Sequence, residues 1–346
     1  MTIIAKPQKP WASSRKQRVT SAGVILAALI STYVFVAITP LKGKLAYFAV
    51  FFLVFILYDF LYHTRIFGVQ SGKDAIARGF VAMGIFVATL PIVSILVTVF
   101  NRGSGGLHWG LFTHDMTVNS VNDPINQGGL LHALTGTFTL VAIALVISLP
   151  IGLLTALYLT EIRGRFSGPI KFLVQAMSGV PSIVAGLFIL AAIVYPVTKS
   201  YSGFMGALAL TILMIPTIAR TAEEVLLLIP NELREAGVAL GGTQWRTVAM
   251  VVVPAARSGL VTAVILGIAR VAGETAPIVL LTGGGDRVNP NPFKGPMGSL
   301  PFYIWKSFSV GTPESITRAW AGIFVLLVIV LVLFVCARLL TERRNN

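Results

Sequence analysis

The sequence has few charged residues and only one cysteine. Asp, Glu, Lys and Arg make up 12% of its 346 residues, whereas apolar residues make up 55%. Soluble domains carry about a quarter of their residues as charges, so this composition excludes an ordinary soluble domain. Cys336 has no second cysteine to pair with, which excludes an intramolecular disulfide.

Two further absences limit the chemistry of the chain. No glycine-rich phosphate loop is present, because the nearest candidate, Gly72-Lys73, is followed by Asp74 and lacks the required preceding glycine. The four histidines are scattered without the spacing of metal ligands, and no nucleophile stands in an evident pattern with a base. The sequence therefore predicts a chain that is not an enzyme and binds no metal or cofactor. Any ATP hydrolysis must come from a partner.

Long apolar runs account for most of the sequence. About eight of them are long enough to cross a hydrocarbon core of roughly 30 Å as helices. They lie near residues 20–39, 45–61, 76–100, 133–160, 169–195, 203–220, 255–281 and 319–338. The sequence thus predicts an all-α polytopic membrane protein with about eight transmembrane helices.

The distribution of basic residues predicts the orientation in the membrane. Most of the 27 Lys and Arg residues fall on one side of the bilayer if the N-terminus is cytoplasmic. We therefore expect both termini in the cytoplasm. This bias also explains the net charge of +14, so we do not expect nucleic-acid binding.

A polar stretch between two apolar spans predicts two short helices. Pro230, Asn231 and Glu232 favour a helix start, and Gly241-Gly242 favours its end. Thr243 is placed to cap a second helix, and Pro254 to begin the next span. Leu233, Ala236 with Gly237, and Leu240 then recur at helical spacing as one apolar stripe, with the glycines leaving backbone accessible for contact.

Polar residues at or within the spans form two clusters that could line a substrate path. Charges inside a bilayer cost several kcal/mol and usually line cavities or pair together. The candidates are Arg220, Glu223 and Glu224 near the end of one span, and Arg270, Glu274 and Thr275 within the next. Arg270 and Glu274 are four residues apart, which predicts a shared helix face.

The chemistry of these residues suits an oxyanion. The arginine guanidinium matches oxyanions bidentately, and a carboxylate accepts a hydrogen bond from a protonated oxyanion such as phosphate. The alternative is that both clusters are structural ion pairs, or ion pairs that gate the path by exchanging partners.

The polar stretch also carries a motif. Glu235-Ala236-Gly237 is followed after three residues by Gly241, and Val251-Val252-Val253-Pro254 follows after nine more. This pattern resembles the cytoplasmic EAA loop of ABC-importer permeases, here residues 221–254. The resemblance implies that Glu235, Ala236, Gly237, Gly241 and Pro254 belong to a loop through which a separate ATPase acts on the membrane subunit.

Further runs resemble the PstA-type permeases of phosphate ABC importers. They are Gly128-Gly129 through Gly136-Thr137, GVPSIVAGLF at 179–188, MIPTIARTAEE at 214–224 and GIARVAGETAPIVLLTG at 267–283. The resemblance implies a six-helix type I permease core at 76–340, with its type-1 transmembrane domain at about 132–338, in a prokaryotic cell membrane. Residues 1–70 add a cytoplasmic segment and two peripheral helices to that pattern.

The same resemblance implies specific partners. They are a PstC-like permease in a heterodimer, a PstB-like ATPase dimer that uses ATP and Mg, and an external PstS-like phosphate-binding protein. Two other functions stay open at this point. One is an ABC permease for another oxyanion, such as phosphonate, molybdate or sulfate, and the other is an ion-coupled secondary transporter that needs no ATPase.

Overall fold

The structure is a computed structural model that describes residues 15–342. The predicted cytoplasmic ends of the chain therefore lie outside the described residues over 1–14 and 343–346. The chain divides into two compact units, Met1–Leu96 and Val97–Asn346.

The first unit consists of long apolar helices. They are α1 (Arg15–Ile38), α2 (Lys44–Phe67) and the first part of α3 (Val69–Gly103), within which the division between the units falls. The Ser31 and Tyr58 hydroxyls meet at 2.8 Å between α1 and α2, and the rings of Phe48 and Phe86 stack at 5.3 Å between α2 and α3. Most other apolar side chains of these helices are exposed, as expected of helices that face lipid.

The second unit contains the remaining helices. They are α4 (Gly110–Thr113), α5 (Leu131–Leu157), α6 (Ser167–Ser178), α7 (Ser182–Ile189), α8 (Gly203–Leu227), α9 (Asn231–Ala239), α10 (Gln244–Thr247), α11 (Val253–Ala272), α12 (Ala276–Leu281), α13 (Leu300–Val310) and α14 (Pro313–Glu342). Wider π-helical turns extend α5 over Tyr158–Ile162 and α7 over Leu190–Thr198, and connect α10 to α11 over Val248–Val252.

Helix α8 lies at the centre of this unit. Its buried side chains, among them Leu210, Met214 and Ile218, pack against α5 and α11. Small residues allow the helices to approach closely: a Cβ atom at Gly152 of α5 or Gly267 of α11 would press on Ile218. The core of the unit is therefore a three-helix contact built around α8.

The described helices reach the predicted number of about eight spans only if one bent pair of helices counts as a span. Seven of the described helices are long and apolar enough to cross a membrane, and α6 with α7 and its π-helical extension makes up to eight if the bent pair is one span. The apolar run predicted as one span over 169–195 is broken into two helices, because α6 and α7 meet at 104°. Pro181 causes the break, since proline cannot continue the backbone ladder and disfavours helical geometry at Val180.

Candidate functional site

The polar stretch folds into two short helices, as the sequence predicts. Helix α9 follows Pro230, carries Glu232 in its first turn and ends at Leu240. Gly241 then adopts a φ of +82°, a left-handed conformation that side chains disfavour. The Thr243 hydroxyl caps α10 by accepting a hydrogen bond from the Arg246 N–H at 3.4 Å. Local backbone preferences therefore determine where both helices begin and where α9 ends.

Helix α9 presents its surface to the outside of the chain. It has no buried residue, and both Glu235 and Ala236 are exposed. Its apolar side chains are exposed too, with Leu233 at 41%, Val238 at 55% and Leu240, which follows the helix, at 90%. A short helix with exposed apolar side chains is suited to burial against another protein.

Gly237 does not leave the backbone open for contact, so that part of the prediction is wrong. It is half-buried, and a Cβ atom there would press on the side chain of Thr247 in α10. The Gly242 N–H also donates to the Gly237 carbonyl at 3.2 Å. Gly237 therefore lets α9 and α10 pack together. At Gly241, by contrast, the space around the missing Cβ is empty.

Pro254 lies in the first turn of α11, as predicted, although α11 continues without a break from the helical turns before it. The helical span runs from Gln244 to Ala272, and Pro254 lies just after the π-helical turn Val248–Val252. Because proline has no N–H to donate, the backbone ladder is interrupted at this residue, and the change from π to α geometry falls there.

One contact that the sequence did not reveal ties α9 to the rest of the unit. Glu161, in the π-helical turn after α5, accepts two hydrogen bonds from Arg234 of α9: Nε to Oε2 at 3.0 Å and Nη2 to Oε1 at 2.9 Å. The side chains are only 6% and 18% exposed, respectively. The hydrogen bond to Glu161 raises the pKa of Arg234. The only sequence signal was an acidic residue at the end of an apolar span and a basic residue in a loop predicted on the same side.

A groove of about 700 Å³ opens beside this contact. Its walls come from the end of α5, from α9 and from α10 with the π-helical turn that follows it. The lining residues are Thr160, Glu161, Arg163, Asn231, Arg234, Glu235, Val238, Ala239, Gln244, Thr247 and Val248. The groove places Glu235 next to the Glu161–Arg234 pair, although Glu235 forms no ion pair within the described part of the chain.

The first polar cluster, Arg220 with Glu223 and Glu224, lies near the C-terminal end of α8. The predicted orientation places this end on the cytoplasmic side. Glu223 pairs with Lys171 of α6 at 3.1 Å and not with Arg220. Arg220 and Glu224 are both exposed, and among residues 15–342 neither has an ion-pair partner. An internal ion pair therefore does not account for Arg220.

The second cluster differs from its prediction. Helix α11 ends at Ala272, and Glu274 and Thr275 lie in the break before α12, so Arg270 and Glu274 do not share a helix face. Gly273 follows the helix end and Pro277 stands at the start of α12, which together interrupt helical geometry. Arg270 is exposed and Glu274 half-buried, and the described residues give Arg270 no carboxylate partner.

The two arginines lie on neighbouring antiparallel helices. Gly259 of α11 faces Val225 of α8, and Gly267 faces Ile218. Arg220 therefore lies along α8 between these two contacts, closer to the contact of Ile218 with Gly267. Arg270 is three residues beyond Gly267, about 4.5 Å farther along the helix. The arginines therefore stand at different depths of the same helix pair.

Comparisons with known proteins identify the family. Residues 148–346, more than half of the chain, match the family described as binding-protein-dependent transport system inner membrane component. The chain belongs to this family. The matched range includes α8, the α9–α10 loop and α11, and therefore every residue of both polar clusters.

Relatives within this permease family carry informative names. "Phosphate transport system permease protein PstA 1" of Mycobacterium tuberculosis (strain ATCC 25618 / H37Rv) is 37% identical over 279 residues, which cover 79% of this chain and 90% of the relative. "Phosphate transport system permease protein PstA" of Pasteurella multocida (strain Pm70) is 36% identical and covers 76% and 92%. The protein of that name from Haemophilus influenzae (strain ATCC 51907 / DSM 11121 / KW20 / Rd) is 35% identical and covers 80% and 96%.

A solved structure shares the fold. A chain of the structure titled "Inward facing conformations of the MetNI methionine ABC transporter" aligns with a TM-score of 0.51 and 22% identity, covering 62% of this chain and 94% of that one. The predicted fold class, a helical type I ABC-importer permease core, is confirmed.

Proposed function

We propose that this chain is the transmembrane permease subunit of an ATP-driven importer that moves inorganic phosphate into the cell. The observation that carries the proposal is its 37% identity, over 79% of its length, to a phosphate transport system permease. A short exposed helix, α9, also lies between two spans in the described residues. A permease driven by a separate ATPase needs a contact surface of this kind.

The energy source in this proposal is a separate ATPase dimer of the PstB-like kind, which uses ATP and Mg. Helix α9 is its docking element, with Glu235 and Ala236 on the exposed surface and Gly241 shaping the turn that follows. A PstC-like permease completes the membrane part, and a PstS-like protein delivers phosphate from outside. The ATPase requires α9 on the cytoplasmic side, and the distribution of basic residues places α9 and both termini on that side.

The substrate path in this proposal runs along α8 and α11. Arg220 and Arg270 are exposed in the isolated chain, and no carboxylate neutralises them within the part that the structure describes. A guanidinium left free in this way offers its donors to an oxyanion. Carboxylates and a hydroxyl lie close to the two arginines in sequence, at Glu223, Glu224, Glu274 and Thr275. Carboxylates accept hydrogen bonds, which favours a protonated oxyanion such as phosphate.

Reconstitution tests the proposal directly. The chain is purified with its associated subunits, incorporated into lipid vesicles, and assayed for ATP hydrolysis and for uptake of radiolabelled phosphate. We expect phosphate to stimulate hydrolysis, and vanadate to abolish uptake. Stronger competition by sulfate, molybdate or phosphonate than by phosphate would assign another oxyanion. Vanadate-insensitive uptake by the purified chain alone would overturn the proposal in favour of a secondary transporter.

A further inference from the structure

Glu161, in the π-helical turn after α5, contacts both sides of the α9–α10 loop: α9 on the first side and α10 on the second. On the first side, the Glu161 carboxylate receives the forked hydrogen bonds of Arg234 at 2.9 and 3.0 Å. On the second side, the Gln244 side chain donates from Nε2 to the Glu161 backbone carbonyl at 2.6 Å. Arg234 precedes the Gly241-Gly242 turn and Gln244 follows it, so Glu161 closes the loop across that turn.

The same arginine also fastens the end of α8. Its Nη1 donates to the Ile229 carbonyl at 2.6 Å, and its Nη2 donates to the Leu226 carbonyl at 2.8 Å. The Leu226 carbonyl lies in the last turn of α8 and the Ile229 carbonyl just after it, at the negative end of the helix dipole, where a cation binds well. Arg234 thus connects three elements: α9, which carries it, the end of α8, and the turn after α5.

The geometry of the contact resists small displacements. A bidentate arginine–carboxylate pair fixes both distance and orientation, which a single hydrogen bond does not. Both side chains are largely withdrawn from solvent, so breaking the pair leaves a partly buried charge without compensation. The contact therefore holds α9 to the ends of α5 and α8 together.

Glu235 and Ala236, which are exposed on α9, take no part in this contact. Glu235 lies on the neighbouring surface of the groove and remains available for a partner, while Arg234 points to the core. The docking surface and the internal attachment of α9 are thus made by adjacent but different residues.

We propose that Glu161 is a positioning residue that, with Arg234 and Gln244, locks α9 to α5 and α8, so that movement of the ATPase against α9 becomes movement of the membrane helices. This inference rests on the proposed function. It assigns to Glu161 the transmission of force, and not the docking of the ATPase.

The test compares transport with hydrolysis in the reconstituted complex. Glu161→Gln removes the charge with little change in shape. We expect the variant to retain the ATPase subunit and to hydrolyse ATP, but to import about fivefold less phosphate per ATP hydrolysed, as for mutations that weaken the coupling between two sites. Arg234→Lys keeps the charge but loses the fork, and Gln244→Ala removes only the contact on the second side. Both are expected to lower the ratio less than Glu161→Gln.

Asp59→Asn is the matched control. Asp59 is also a poorly exposed carboxylate paired with an arginine, Arg78 at 3.7 Å, but it belongs to the first unit. We expect it to leave phosphate imported per ATP unchanged. If the Glu161–Arg234 pair only stabilises the fold, both variants should unfold at a lower temperature, and phosphate imported per ATP hydrolysed should stay unchanged in both. That result would overturn the positioning role.

The outcomes separate the two proposals. If the wild-type complex shows no phosphate-stimulated hydrolysis, the proposed function fails. If the wild type transports phosphate and Glu161→Gln has an unchanged ratio, only the positioning role is overturned. Loss of the ATPase subunit from Glu161→Gln would also overturn it, because the pair would then serve docking. If Glu161→Gln does not fold, unchanged ratios in both Arg234→Lys and Gln244→Ala would overturn the role instead.

Discussion

Gly136 of α5 lies directly against the backbone carbonyl of Gly298, with no room between them for a methyl group. One residue along, the Thr137 hydroxyl accepts a hydrogen bond from the Leu300 N–H at 2.8 Å. The two contacts seat the segment that leads into α13 on the end of α5. They give a structural reason for the Gly136-Thr137 pair, which the sequence had shown only as part of a family resemblance.

Gly136→Ala is expected to destabilise the protein. The added methyl group would overlap the Gly298 carbonyl, which belongs to rigid backbone, and overpacking of this kind costs about 1–3 kcal/mol. The thermal unfolding midpoint in detergent measures the effect. Gly23→Ala in α1 is the control, since no atom lies within 4 Å of its missing Cβ. Equal midpoints for both variants would contradict the close contact.

Arg220→Gln and Arg270→Gln are each expected to abolish phosphate uptake while the complex still assembles. Each replacement removes an unneutralised guanidinium from the proposed path and leaves a side chain of similar size. Uptake by reconstituted vesicles, together with the subunit composition after purification, measures both effects. Lys42→Gln, at an exposed basic residue between α1 and α2, is expected to transport normally. Full uptake by both arginine variants would refute an obligatory arginine.

Glu235→Lys and Gly241→Trp are expected to disrupt the attachment of the ATPase. The first reverses a charge on the exposed surface of α9, and the second forces a bulky residue into a left-handed conformation that costs an ordinary residue about 1–2 kcal/mol. Retention of the ATPase in a pull-down and ATP-driven uptake are the measurements. Asp74→Lys, at an exposed acid of α3, should leave both unchanged. Normal retention with normal transport in the two loop variants would argue against this docking surface.

Arg318→Met is expected to loosen the loop before α5. The buried Arg318 donates from Nη2 to the carbonyls of Asp123, Pro124 and Gln127 at 3.0, 2.7 and 2.8 Å. Methionine keeps the apolar stem but leaves these carbonyls without their donor, at a cost of about 1–3 kcal/mol. A lower unfolding midpoint and faster proteolysis of the loop would be seen. Arg287→Met, at an exposed arginine, should change neither.

Stability should depend on the ionisation of Asp115 at acidic pH. Burial alone would raise the pKa of this carboxyl, but hydrogen bonds from Thr117 and Val288 outweigh it and lower the pKa. A folded-state pKa below the unfolded value gives stabilisation that is complete above about pH 4 and is lost as pH falls through the folded value. Unfolding midpoints of wild type and Asp115→Asn should therefore differ at neutral pH and converge under acidic conditions. A gap independent of pH would exclude this contribution.

Much of the fold could be predicted from the sequence, because span length and helix ends depend on residues that are neighbours in the chain. A bilayer demands apolar runs of a set length, which made the spans recognisable, and backbone preferences placed the ends of α9 at Pro230 and Gly241. The same reasoning failed where two breakers act together. It treated 169–195 as one span, although α6 and α7 meet at 104° beside Pro181, and it extended α11 past Gly273 to Glu274. The roles assigned to the polar clusters and to the motif remain predictions.

The sequence by itself determined the class of protein, its apolar spans and the position of the loop that resembles a coupling element, since each follows from composition or from neighbours in the chain. Only the tertiary structure decided which side chains meet. Glu161 and Arg234 are 73 residues apart, and no local pattern links them. They pair because the packing of α5 beside α8 brings the two helix ends together, where a buried charge needs an opposite charge. The same packing places Gly237 against Thr247. It also pairs Glu223 with Lys171, so that Arg220 does not form the ion pair with Glu223 that the sequence suggested.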